Sequence, residues 1–284
     1  MASGAAPGEV PPPLPLRSRR RGLSETRRSI PFSGGRTILA LILREMTSSY
    51  GRSPGGYVWM ILEPVLGIIF LSAFFAMVGF RTPALGSNFG IFFATGILPF
   101  TFYNTISSRV AQSINFSKAL LAYPRVTYVD AICARVILAV LTQLLVGGII
   151  LAAITTIWDT RTALDIEPVI LTYLMALVLG VGIGLLNCFL ATRFQIWQQV
   201  WSILMRPLFF VSGVIILYEN IPFPWNERFL WNPLFHITAE MRAGFYPGYD
   251  ADFVDPGYVF LVGLIAGLTG LIFLHRYHRD ILEI

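Results

Sequence analysis

The sequence predicts an all-α integral membrane protein: six transmembrane helices, an N-terminal interfacial amphipathic helix, and short re-entrant helices between spans five and six. Three observations carry this. Apolar residues make up 55% of the 284 and charged residues 13%, with mean hydropathy +0.66, against about 45–50% and 25% in an ordinary globular chain. A water-soluble fold of this size would have too few charges to cover its surface. Six stretches, 53–80, 82–108, 136–158, 168–192, 194–218 and 256–275, contain only Glu63 and Arg206 as charged residues. Each reaches the roughly 20 residues that cross a 30 Å hydrocarbon layer. Basic residues, finally, alternate in abundance between successive loops.

Residues 1–32 hold a proline run (Pro11, Pro12, Pro13, Pro15) and an arginine cluster (Arg17, Arg19, Arg20, Arg21, Arg27, Arg28) with nothing to build a core. This reads as a disordered basic cytoplasmic tail. No apolar stretch follows the arginines, so a signal peptide is not expected. Across 33–52, Ile38, Leu41, Ile42 and Met46 repeat at helical spacing among Arg36, Arg44, Glu45 and Ser48. The segment is too short and too charged to span, which predicts a helix lying in the interface or packed on other protein.

The six-helix domain occupies 53–284. Its third span begins near Tyr128, which draws Asp130 and Arg135 into its inner end. With the N-terminus inside, the cytoplasmic segments carry fifteen Lys or Arg and the outer segments four, Arg81, Arg161, Arg228 and Arg242. That is the positive-inside pattern, and an even span count places both termini in the cytoplasm. The outer segment 219–255 is aromatic and broken by Pro222, Pro224, Pro233 and Pro247. Between Pro233 and Gly244 the spacing of Leu234, Ile237, Thr238 and Met241 predicts a short helix that dips into the outer leaflet.

Several chemistries are excluded. The basic excess belongs to the N-terminus, where residues 1–57 hold nine Arg against three acids, so no nucleic-acid partner is expected. Cys133 and Cys188 lie in apolar stretches and indicate neither a disulfide framework nor a thiolate metal site. There is no phosphate-cradling G-x-x-x-x-G-K-[ST] loop and no H-E-x-x-H. Asp250 and Asp252 form an isolated D-x-D on the outer side, read as an acidic turn. No catalytic or metal site is expected, and no cofactor in this chain.

Charged and polar residues inside spans are the functional candidates. Gln195, Gln199, Ser202 and Arg206 form one helical face in the fifth span. The second has Thr101, Asn104, Ser108 and Gln112; the third has Arg135, Thr142 and Gln143. Three polar stripes on separate spans suggest a shared wet surface, with Arg206 and Arg135 as its charged members. Hydrogen bonding between helices is the competing reading. Glu63 is expected to pair with Arg44 or Arg52. Between spans two and three, Asn115, Phe116, Lys118, Leu120, Leu121, Tyr123, Pro124 and Arg125 belong to an amphipathic segment whose exposed apolar face calls for a partner.

Three separated segments resemble a known family. They are Arg44-Glu45 with the run from Tyr50 through Gly56, Tyr57 and Trp59 to Leu62-Glu63-Pro64; Asn115 with Leu120 to Pro124; and the run from Asn232-Pro233 to Glu240-Met241-Arg242. In this order, on six spans, the chain from Arg36 to Ile284 is similar to the membrane subunit of type-two ABC exporters for capsular polysaccharide and O-antigen, the capsular branch most closely. The resemblance implies a half-transporter that pairs as a homodimer above two copies of a separate ATPase, which binds ATP and Mg. It implies that the interfacial helix, with Arg44 and Glu45, and the loop after span two engage the ATPase, that the outer helices cap the polymer path, and that periplasmic and outer-membrane partners complete export. With an acidic polymer as the implied cargo, Arg206, Arg135, Gln199, Ser202, Tyr103 and Asn104, with the aromatic faces of Trp201 and Trp59, would line that path: guanidinium forks bind anions while rings let sugars slide. O-antigen and teichoic acid exporters are the near alternatives. A membrane-embedded glycosyl or acyl transferase would need a converging carboxylate or His constellation, and a secondary transporter several buried acids.

Overall fold

The computed structural model describes residues 33–50, 56–116, 128–158, 160 and 162–283, and every regular element among them is helical. The helices are α1 (Ser33–Tyr50), α2 (Gly56–Met77), α3 (Phe89–Ala111), α4 (Tyr128–Ile157), α5 (Ile166–Arg193), α6 (Trp197–Val211), α7 (Trp225–Phe229), α8 (Pro233–Ala243) and α9 (Pro256–Glu283). Five of these, α2, α3, α4, α5 and α9, are long and apolar enough to cross a membrane. The start of α4 at Tyr128 and the helix over Pro233–Ala243 agree with the sequence pattern.

The stretch 194–218, expected as one span, is different. Its helix α6 has 15 residues, about 22 Å at 1.5 Å per residue, short of the roughly 30 Å layer. The helix ends at Ser212, and Gly213 follows with φ +78. A Cβ at Gly213 would sit 2.8 Å from Thr238 Oγ1 and 2.9 Å from the Phe235 ring. Glycine alone meets both demands, the left-handed backbone and the close approach. Gln195 precedes α6, so only Gln199, Ser202 and Arg206 of the predicted polar row share the helix.

The core is a sandwich of α3, α5 and α9, with α5 in the middle. In lipid there is no hydrophobic drive between helices, so close contact relies on small residues. Glycines provide it on two faces of α5. A methyl group at Gly180 or Gly184 would press on Tyr103, Ile106 and Val110 of α3, whereas at Gly182 it would run into the backbone of Gly263 on α9. Residues 91–100 of α3 are all buried. α2 and α4 flank α3, and Gln143 of α4 donates to Thr105 Oγ1 at 2.8 Å, the interhelical bonding that competes with a path role for this amide.

α8 is buried almost all round, packed on α3 and α5. Asn232 caps its start by accepting from Leu234 N at 3.1 Å, with Pro233 at its first turn. His236 lies between two backbone groups: Nδ1 accepts from Asp255 N at 3.1 Å, which leaves Nε2–H to donate to Leu230 O at 2.8 Å.

Candidate functional site

Two groups of residues meet at one end of the bundle, where α3 and α5 finish and α4 and α6 begin. The first centres on Arg135, near the start of α4. Its Nε lies 3.1 Å from Glu45 Oε1 of α1, with both side chains under 10% exposed. Its Nη1 donates to Arg109 O at 3.1 Å, and its guanidinium carbon sits 4.1 Å from the centroid of the Phe116 ring. One side chain therefore pairs with α1, caps a carbonyl in the last turn of α3, where helix carbonyls lack partners, and covers the residue at which the amphipathic segment begins. Each contact compensates part of the cost of burying the cation.

Why Glu45 is buried follows from helical spacing. Ile38, Leu41, Ile42 and Glu45 fall on the face of α1 turned to the bundle, while Leu39, Leu43, Met46 and Arg44 are exposed. Glu63, expected to pair with Arg44 or Arg52, is exposed on α2, so the buried carboxylate at this end is Glu45 instead.

The second group is a cleft of about 380 Å³ between α3, α5 and α6, which brings together Asn104 and Ser108 of α3 with its C-cap Gln112, Asn187 of α5, and Trp197, Trp201 and Ser202 of α6. Asn104, Ser108 and Gln112 of one predicted row and Ser202 of another thus share a surface. The third row does not join them. Arg135 is turned to Glu45, Gln143 to Thr105, and the Thr142 hydroxyl back to Leu138 O of its own helix. Tyr103, expected on the path, is 2% exposed and packed in the core. Arg206 and Gln199 are exposed on α6, and Trp59 is 62% exposed on α2. Asn115 is exposed beside Phe116; Lys118, Leu120, Leu121, Tyr123, Pro124 and Arg125 lie outside the described residues, as does the 1–32 tail.

Sequence reasoning missed Asn187 and Trp197, though a signal was present: Asn187 is the only amide in the apolar stretch 168–192. It also missed the role of the Asn232 to Arg242 segment. Asn232 Nδ2 donates to Val211 O at 3.2 Å, Thr238 Oγ1 to Ser212 O at 2.6 Å, and Arg242 Nη2 to Val214 O at 2.9 Å. Three side chains from one segment satisfy the carbonyls released where α6 stops. Arg242 is 1% exposed with its guanidinium carbon 4.4 Å from the Phe92 centroid. Burial pulls its pKa down from the ordinary arginine value, with Tyr249, Tyr246 and Glu219 opposing.

This helical bundle matches the family model described as ABC-2 type transporter over residues 36–246. The chain belongs to the ABC-2 type transporter family. As a member of it, the chain is a multi-pass membrane protein, in keeping with its five long apolar helices. The ABC-2 match spans α1 to the end of α8, and so includes both the Arg135 group and the cleft. The chain is 30% identical over 236 residues, 83% of its length and 91% of the relative's, to the polysialic acid transport protein KpsM of Escherichia coli. It is 28% identical over 249 residues (87% and 92%) to the capsule polysaccharide export inner-membrane protein CtrC of Neisseria meningitidis serogroup A. With the capsule polysaccharide export inner-membrane protein BexB of Haemophilus influenzae it shares 25% over 248 residues (87% and 93%).

Proposed function

We propose that this chain is the transmembrane subunit of an ATP-driven exporter that moves a lipid-linked, acidic capsular polysaccharide across the inner membrane. The observation that carries this is similarity along more than nine-tenths of three relatives named for polysaccharide or polysialic acid transport. Two copies of the chain would pair above two copies of a separate ABC ATPase, which would hold ATP and Mg. Periplasmic and outer-membrane partners would receive the polymer.

The reading extends to topology. α6 together with the irregular residues 212–217 that follow it would make the sixth crossing. Irregular backbone is tolerated at membrane depth where protein covers it and satisfies its polar groups, as Asn232, Thr238 and Arg242 do here. The basic loops would then face the cytoplasm together with both termini, α1 would lie in the inner interface, and α7 and α8 would re-enter the outer leaflet.

Coupling is assigned to the Arg135 end. A rigid link from α4 to α1, α3 and Phe116 supports a mechanism in which the ATPase, bound to Arg44, Asn115, Phe116 and the segment carrying Lys118, Leu120, Leu121, Tyr123, Pro124 and Arg125, moves these helices together. For the path we retain Arg206, Gln199, Ser202, Trp201, Asn104 and Trp59; Arg135 and Tyr103 are buried and serve packing.

The test is a deletion strain. Surface polysaccharide should disappear while the polymer accumulates inside, and the tagged chain should copurify with an ABC ATPase. Surface polymer at the parental level in the deletion strain overturns the reading. Sugar analysis of the retained polymer separates a capsule from an O-antigen or teichoic acid.

A further inference from the structure

The cleft between α3, α5 and α6 contains polar groups that no described residue engages. Asn187 is 2% exposed; its Oδ1 accepts from Trp197 Nε1 at 2.9 Å, but its Nδ2 is buried with no acceptor among the described residues. Trp201 Nε1 is buried in the same condition. Buried donors are paired in the great majority of native structures, because leaving one unmade forfeits its hydration. Two such N–H groups on one cleft call for acceptors that the described residues do not supply.

The rest of the lining narrows what those acceptors belong to. Trp197 and Trp201 stack one turn apart on α6, ring centroids 6.5 Å apart and planes 25° from parallel, and present a broad apolar face. Asn104, Ser108, Gln112 and Ser202 supply groups that both donate and accept. Among the described residues, no Lys, Arg, Asp or Glu lines the cleft. A phosphate or carboxylate would find no counter-charge there, and a hydrocarbon chain would leave the donors orphaned. A sugar ring satisfies every feature: its hydroxyl oxygens accept from the two free N–H groups, its hydroxyl hydrogens meet amide oxygens, and its C–H face lies on an indole. The volume falls within the range of small-ligand pockets.

We propose that this cleft binds one neutral glycosyl ring of the exported chain, with Asn187 Nδ2 and Trp201 Nε1 as donors and the Trp197–Trp201 pair as the stacking face. The proposal rests on the exporter reading and deepens it: sugar is held beside α6 by uncharged groups, separate from the exposed Arg206.

The probe is an oligosaccharide prepared by partial hydrolysis of the cell's own surface polymer, titrated into the full chain purified with its ATPase, with tryptophan emission as readout. Saturable quenching is expected. Asn187→Leu and Trp201→Ala should each weaken binding by about tenfold, the loss expected for one well-made contact, and Trp201→Phe, which keeps the ring and removes the N–H, should weaken it less. Asn187→Ser provides a second, smaller change should Leu disturb assembly. Trp158→Phe, at the opposite end, should bind as the parent. Unchanged affinity in assembled Asn187→Ser and Trp201→Phe overturns the proposal. So does equal quenching by inorganic phosphate, which would mark an anion site, or no quenching by the oligosaccharide, which would leave water as the occupant. Export assays separate the two readings. Surface polymer that survives deletion of the chain defeats the exporter itself, whereas export that is lost on deletion yet normal in Asn187→Ser and Trp201→Ala defeats only the cleft.

Discussion

The guanidinium of Arg242 donates to the carbonyl of Val214 across 2.9 Å, and Thr238, one helical turn earlier, donates to Ser212 at 2.6 Å. Helix α8 thereby holds the point at which α6 stops. Arg242→Leu and Thr238→Val should each lower stability in detergent by about 1–3 kcal/mol, the cost of an orphaned buried acceptor. Gly213→Ala should also destabilise, because it forces a side chain into φ +78 and onto Thr238. Thermal unfolding checks all three, and a parental midpoint in Arg242→Leu would show that the carbonyl finds another donor.

Glu45 and Arg135 join α1 to α4 at the other end. Removing one partner of a buried ion pair strands the other, at a cost of about 3–5 kcal/mol. Glu45→Gln and Arg135→Gln should therefore each loosen α1 and reduce the transport-linked part of ATP turnover, and the double variant should cost less than the sum of the two. A double-mutant cycle on Tm and on ATPase stimulation measures this; strict additivity would mean that the pair carries no coupling.

How far the sequence could be read depends on whether a feature is local. Apolar runs fixed five crossing helices, and the Asn232-Pro233 start marked α8, because length and caps are local properties. The early end of α6 was not legible: the apolar residues Val214, Ile215, Ile216 and Leu217 carry the pattern on past Val211, and the distant Thr238 and Phe235, with the left-handed backbone, require Gly213 to be a glycine. Asn104 and Ser202, marked by helical spacing on two separate spans, line one cleft. The pairing of Arg135 was not legible, because the periodicity of α4 cannot reveal a carboxylate arriving from α1, 90 residues earlier in the chain.

The glycines of α5 were likewise silent until neighbours were known. Gly182 faces the backbone of Gly263 with no room for a methyl group. Gly182→Val should push α9 from α5 and sharply lower the folded yield in membranes, more than Gly148→Val, whose position is open. Fluorescence-detected gel filtration reads the difference. Equal monodispersity of the two variants would refute the close-packing account.

Glu240 gives a pH-dependent expectation. Burial, and then the charge of Glu167, raises its pKa above the ordinary 4.5. A carboxyl whose folded pKa is raised binds more protons folded than unfolded, so it lowers stability as pH climbs from the ordinary value through the raised one. Glu240→Gln should raise the unfolding midpoint at neutral pH, and the gain should shrink below about pH 4, where both states are protonated. A gain that persists in acid would have to come from something other than this ionisation.

Arg206 bears on the substrate path most directly. It is exposed on a helix in which, of all its residues, only Met205 is buried, and a guanidinium turned to hydrocarbon is costly. The side chain therefore needs water, a second copy of the chain, or an anion beside it. Pairing with Glu63 does not account for it, since Glu63 is itself exposed on α2. If Arg206 contacts the polymer, Arg206→Gln should assemble with the ATPase and hydrolyse ATP yet export less. Losing one charge-assisted contact of about 1.5–3 kcal/mol corresponds to about tenfold or more. Arg206→Lys should be milder, because the charge remains while the bidentate fork is lost. Pulse-chase measurement of surface polymer, beside ATP turnover of the same complexes, decides the matter. Loss of assembly in both variants would make Arg206 an interface residue, and parental export by Arg206→Gln would remove it from the path.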